Sequence, residues 1–398
     1  MGILKILFVI TLLTFPFGEI IRLEIVRGAA VNLNTISVGI LAIYYIFYHV
    51  INNKGNKGRL SRPIIIFTAV CILSLLFNIN SLTIRELGVS SLYIVRFIIY
   101  LLIYFAIFDF DRKFQAKIIY IMVFAGTLVL LSGYIQYFFY PSLRNLFYLG
   151  WDEHLYRMFS VFLDPNFAGA FFSLSLFLTI GLVQEAIERK SKYKILLFGI
   201  LGILTFIAIF LTYSRSAILM VLVGLSIFLV LKKKWLIILV LAIISSFLIV
   251  LTPKAFKTEG TDLFRKVSSE ARITSAKEAM LIFSKNPLLG VGFNAYKFAR
   301  YGYGFTDLKF YPGHAEGGAD VSLLFVLATT GIVGFTAYIW LLYKIIKYSY
   351  AKHRKNFIAQ VLFVSTISLI INSFFINSLF YSFFMFWLWI LVGLTENA

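Results

Sequence analysis

Apolar runs long enough to cross a membrane recur along almost the whole chain. A helical span needs about 20 mostly apolar residues. Twelve stretches near that length stand at 3–18, 33–51, 62–79, 89–108, 116–140, 166–184, 194–212, 216–232, 234–252, 320–343, 357–376 and 378–394. Inside a bilayer every backbone polar group needs an internal partner, so only helices and closed barrels span it. The expected fold is therefore an all-α integral membrane protein of about 12 transmembrane helices. The first run, Ile3 to Phe17, has no small-x-small cleavage site after it and reads as a first span.

The breaks between the runs carry an alternating charge pattern. Five alternate breaks hold nineteen basic residues, of which fourteen are Lys and five are Arg. The short breaks on the other side hold six: Arg22, Arg27, Arg85, Arg144, Arg157 and Arg215. Cytoplasmic loops retain positive charge. The sequence therefore predicts cytoplasmic termini and an outer location for the long break at 253–319. The net charge of +19 follows this topology. It forms no stripe of the kind that binds nucleic acid, and no nucleic-acid partner is expected. All six residues in the short outer breaks are Arg. Topology requires only charge, whereas the planar guanidinium fork holds phosphate oxygens two at a time. That bias points to an outer face that handles phosphate.

The expected organisation is a transmembrane bundle over 1–252, an extracytoplasmic catalytic loop over 253–319, and three last spans over 320–398. Within the loop, Asp262 to Ser284 reads as an amphipathic helix. Phe264, Val267, Ala271, Ala279 and Ile282 lie near one face, and Arg265 and Arg272 lie on another. Asn286-Pro287 ends that helix. The seven glycines from Gly290 to Gly318 mark irregular backbone, and a long stretch of that kind is usually functional.

Candidate residues cluster on the outer side. Arg215, in LTYSRSA (211–217), lies at or just below the outer membrane surface. Burying its charge there is costly and calls for a partner; contact with lipid headgroups is the competing account. Arg96 is placed about 9 Å into span four at 1.5 Å per residue. Arg272 lies on the loop helix. Asp320 precedes span ten and doubles as a plain helix cap; Asp164, in LDPNFAG (163–169), does the same for span six. His314 and His154 are the outer histidines. Tyr296, Tyr301, Tyr303 and Tyr311 offer rings to sugars, and Tyr296, Tyr311 and Glu316 are the candidate acceptor or sugar contacts. Cys71 is the only cysteine. No HExxH, Walker or GxSxG pattern is present, and no DxD-type pair suggests a divalent metal, so no cofactor is expected.

In their order and placement these motifs resemble the O-antigen polymerase and ligase superfamily of bacterial envelope glycosyltransferases. The resemblance rests on LDPNFAG, LTYSRSA, an Arg-bearing helix running into NPLLGVGFNAY (286–296), and GIVG (331–334). It implies a GT-C-like fold in the bacterial inner membrane. It also implies transfer of glycan from undecaprenyl pyrophosphate on the outer face, without metal. Arg215 and Arg272 match the arginines that hold the pyrophosphate in that family, and Arg96 is a third candidate. Ligases place a His-Asn-like pair nine residues before the GxxG; here that position is Asp320-Val321. The departure favours a polymerase with Asp320 or His314 as base. Expected partners are the lipid-linked oligosaccharide, membrane lipid and a chain-length regulator. A ligase is the alternative enzyme, and a flippase of lipid-linked sugars is the competitor from another class. Transporters commonly show two matching halves, whereas this chain has one long off-centre loop.

Overall fold

The breaks between apolar runs carry the residues that start the next helix. Thr83 Oγ1 accepts the Glu86 amide (3.4 Å), and Glu86 Oε2 accepts the Thr83 amide (2.7 Å). This reciprocal box satisfies two otherwise orphaned groups. Asp111, Asp164, Ser214 and Asn356 accept first-turn amides in the same way. Each such cap stabilises its helix by about 1 kcal/mol.

The computed structural model describes residues 1–26, 29–52, 58–233, 261, 267–306 and 318–396. The helices are α1 (Gly2–Thr14), α2 (Leu33–Asn52), α3 (Ser61–Phe77), α4 (Ile84–Phe108), α5 (Arg112–Phe139), α6 (Pro165–Glu188), α7 (Lys192–Leu211), α8 (Arg215–Leu231), α9 (Val267–Lys285), α10 (Tyr296–Gly302), α11 (Ser322–Lys352), α12 (Phe357–Asn372) and α13 (Ser382–Glu396). Apart from α9 and α10, each falls on one of the expected apolar runs. The ninth run, 234–252, lies outside the described residues. Among the described residues α2, α4, α5, α6, α7 and α11 are long and apolar enough to cross a membrane; the other apolar helices are shorter.

Burial separates the helices by role. From Ser382 to Thr395 every residue of α13 is buried. A helix apolar on all sides belongs in an interior, and α13 is the hub. Phe383, Phe386 and Trp387 close around Phe15, and Phe171 of α6 meets Trp387 edge-on at 5.1 Å. At the other extreme, α7 exposes Leu196, Leu197, Ile200, Ile203, Leu204 and Ile207. A row of exposed aliphatic side chains on an apolar helix suits contact with lipid.

Two features depart from the expected fold. A short hairpin follows α1: β1 (Arg22–Val26) pairs antiparallel with β2 (Ala29–Asn32), with Arg22 opposite Asn32. Its alternation, R-L-E-I-V, lay in what was expected to be a plain break. The second departure is in α11, which is interrupted at Gly331 (φ 62°, ψ −167°). The segment after α9 threads into that interruption. Val291 and Gly292 amides donate to Ala328 and Thr329 carbonyls (both 3.1 Å), and the Ile332 amide donates to Pro287 O (2.8 Å). Ser74 Oγ of α3 bonds both Leu289 O (2.6 Å) and Thr329 O (2.8 Å). NPLLGVG and GIVG are therefore two halves of one joint. Its broken backbone is satisfied by protein, as non-helical backbone at membrane depth must be.

Candidate active site

LDPNFAG and LTYSRSA form a second joint. Asp164 Oδ1 caps α6 by accepting the Asn166 amide (2.6 Å) and the Phe167 amide (3.3 Å). Asn166 Oδ1 accepts the Ser214 hydroxyl (3.0 Å), and Ser214 Oγ caps α8 through the Ala217 amide (3.4 Å). A Cβ on Gly169 would stand 2.6 Å from Ala217 Cβ and 2.8 Å from Thr212 Oγ1, so only Gly lets α6 and α8 approach this closely. Buried Arg157 donates from Nε to Thr212 O (2.9 Å) at the carboxyl end of α7, where helix carbonyls favour a cation. These contacts hold the start of α8, whose first residue is Arg215, against the start of α6.

Asp320 and Arg272 reach the same place from the other side of the chain. The expected helix-cap role of Asp320 does not hold: Val321 occupies the cap position of α11, and no side chain caps it. Instead the Asp320 amide donates to Ser275 Oγ of α9 (3.1 Å). Arg272, about one turn before Ser275, sits over the Phe375 ring at 5.9 Å.

The electrostatics tie these residues together. Burial pulls the Arg272 guanidinium below its ordinary pKa. Asp320 opposes that pull, Arg215 adds to it as a like charge, and Asp164 opposes it. Burial pushes the Asp320 carboxyl up; Arg272 and Arg300 hold it down, while Asp164 and Glu278 add to the rise. Arg215, Asp164 and Asp320 thus act on Arg272, and Arg272 and Asp164 act on Asp320, which couples charges from the starts of α6, α8 and α11 with α9. Desolvated cations that repel one another are stabilised by a multivalent anion.

The remaining candidates are placed differently. Helix α4 begins five residues before the expected start of span four because of the Thr83–Glu86 box. Arg96 consequently lies about 18 Å along the helix. It stacks on Tyr93 at 4.2 Å and is not among the charges acting on Arg272. Tyr296 offers no ring to a sugar: it is buried, packs against Phe325 at 6.2 Å, and donates its hydroxyl to Ser275 O (3.4 Å). Tyr301 is exposed. Ala279 and Ile282 of α9 are buried as expected, but Ala271 is exposed. His314, Tyr311, Glu316, Arg265 and Phe264 lie outside the described residues. His154 Nε2 stands 3.9 Å from Asp164 Oδ2.

Residues 200–339 match a family described as O-antigen ligase. The matched span holds Arg215, Arg272, Asp320 and the Gly331 break. Over this stretch the chain is similar to that family, which supports the O-antigen polymerase and ligase resemblance. The family indicates glycan transfer of the ligase or polymerase type by a membrane protein. LDPNFAG lies outside the match and joins the site through Asn166. No curated protein matches the chain. Asn166, Ser275 and Arg157 were not singled out for the site by the sequence. The signals were the presence of Asn166 inside LDPNFAG and of Arg157 among the six arginines of the short breaks; Ser275 matters through contacts between distant segments.

Proposed function

We propose that this chain is a polysaccharide repeat-unit polymerase of O-antigen or capsule type. It acts on the outer face of the bacterial inner membrane, crossing twelve times with both termini inside. The convergence of Arg215 and Arg272 on one locus with Asp320 carries the reading. A hydroxyl oxygen of a lipid-linked acceptor sugar attacks the anomeric carbon of a glycan on a second undecaprenyl pyrophosphate. The new C–O bond forms as the bond to pyrophosphate breaks. Asp320 takes the hydroxyl proton. The pyrophosphate leaves with the electron pair, its charge spread over the two guanidinium groups. Preorganised donors aimed at developing charge are commonly a large catalytic contribution, and two arginines take the place a metal ion holds elsewhere.

The ligase reading has one specific observation in its favour, the description of the matched family as O-antigen ligase. One assay separates the two. Purified protein supplied only with lipid-linked repeat units should build a ladder of longer lipid-linked chains. No ladder, but transfer once a different acceptor is added, would make it a ligase. Movement of lipid-linked sugar across vesicles with no new glycosidic bond would make it a transporter.

A further inference from the structure

We propose that the buried Glu278–Arg300 ion pair is a positioning element that sets both the place and the charge of Asp320. This rests on the reading of Asp320 as the base. Arg300 Nε donates to Glu278 Oε2 at 2.7 Å, and the two side chains are only 16% and 13% exposed. A buried pair of this kind adds little net stability, because desolvation offsets the attraction. Its surroundings suggest what it does instead.

Arg272, Ser275 and Glu278 follow one another at three-residue spacing on one side of α9. The first faces the proposed pyrophosphate locus. The second accepts the Asp320 amide through its hydroxyl (3.1 Å). The third holds Arg300. Helix α10 answers with two rungs one turn apart: the Tyr296 hydroxyl donates to Ser275 O (3.4 Å), and Arg300 pairs with Glu278. The same two rungs therefore clamp α10 onto the turn of α9 that supports Asp320.

Among the described residues, the charges acting on Asp320 include Arg272 and Glu278 from α9, Arg300 from α10, and Asp164 at the start of α6. A bound pyrophosphate would take up the charge of Arg272. Arg300 would then be the remaining cation in that group, holding the carboxyl ionised against its burial, and Glu278 would moderate it. Glu278 and Arg300 thus act on Asp320 with opposite sign.

The test is the pH profile of glycan elongation by the purified full-length protein with lipid-linked donor and acceptor. A base must be deprotonated, so the rate falls as pH drops through its pKa. Removing a neighbouring cation raises that pKa, and removing a neighbouring anion lowers it. Arg300→Gln should move the acid limb to higher pH, and Glu278→Gln should move it to lower pH. The double variant should return it toward the wild type, and Arg300→Lys should stay near the wild type. KM for the donor should hold in all four. If Arg300→Gln does not fold, the double variant and Glu278→Gln decide. Shifts in the same direction, or a uniform loss of rate with no shift, would overturn the proposal. Asp320→Asn is run in parallel. If it abolishes elongation while the pair variants do not shift the limb in opposite directions, the pair assignment alone fails. If it retains elongation, the base assignment fails and takes the pair with it.

Discussion

Arg215 could be singled out from the chain alone, because every basic residue in the short breaks expected outside is Arg and topology does not require that; Arg272 was picked out by the Arg-bearing helix that runs into NPLLGVGFNAY. The electrostatics add that Arg215 acts as a like charge on the largely desolvated Arg272. Replacing either by Lys keeps charge but removes the planar fork. Losing one preorganised donor commonly costs about 10²–10³ in rate. Arg215→Lys and Arg272→Lys should therefore express normally and elongate glycan slower by about that factor, while Arg144→Lys, exposed on an outer break, should match the wild type. Near-wild-type elongation in both site variants would return these residues to headgroup contacts. Elongation should also persist in a chelator. Loss of activity restored by magnesium or manganese would refute the two-arginine account of the leaving group. Other residues could not be ranked this way. Ser275 is an ordinary helix serine until Asp320 is seen against its hydroxyl. Tyr296 is an ordinary interfacial tyrosine until its ring is found buried.

Among the elements, the two joints explain why motifs far apart in sequence occur together. Gly331 adopts φ 62°, and a Cβ there would fall on the Leu288 carbonyl; one on Gly290 (φ 66°) would fall on the Thr329 backbone. Neither neighbour can swing away as a flexible side chain could. The backbone conformation alone costs a side chain about 1–3 kcal/mol. Gly331→Ala and Gly290→Ala should therefore lower thermal stability markedly. Gly199→Ala in α7 should be neutral or raise stability by about 0.5–1 kcal/mol, because nothing lies within 4 Å and the site is helical. Equal melting temperatures for Gly331→Ala and Gly199→Ala would show that the joint is not tight. Ser74→Ala removes the hydroxyl donor of Leu289 O, while Thr329 O keeps the Gly292 amide, and should cost about 1–3 kcal/mol. The glycines were legible as irregular backbone. That the irregular stretch fills a broken helix was not, because nothing at 286–292 names its partner at 328–333.

For the molecule as a whole, the expected topology puts Lys190 and Lys233 inside and Lys285 outside. Cys71 is buried in α3, so a Cys71→Ala background gives a clean start for single cysteines at those exposed positions. An impermeant thiol reagent on intact cells should label position 285 and spare 190 and 233. Labelling of 285 only after the cytoplasm is opened would invert the molecule and remove the site from the outer face.

The order of the apolar runs was enough to determine a helical membrane protein, because hydrocarbon tolerates so few backbone arrangements. The placing of Lys and Arg was enough to nominate an outer, phosphate-handling face, because charge is costly to move through a bilayer. The caps at Thr83, Asp164, Ser214 and Asn356 were local and so were written locally. Only the tertiary structure decided that α13 is the hub while the equally apolar α7 faces outward, since apolar side chains suit lipid and protein interior alike. It alone brought Arg215, Arg272 and Asp320 to one locus and left Arg96 apart. It also paired Glu278 and Arg300 across two helices, one turn from the Ser275 hydroxyl that accepts the Asp320 amide. Those are relations between distant segments, and burial and distance exist only once the chain has packed.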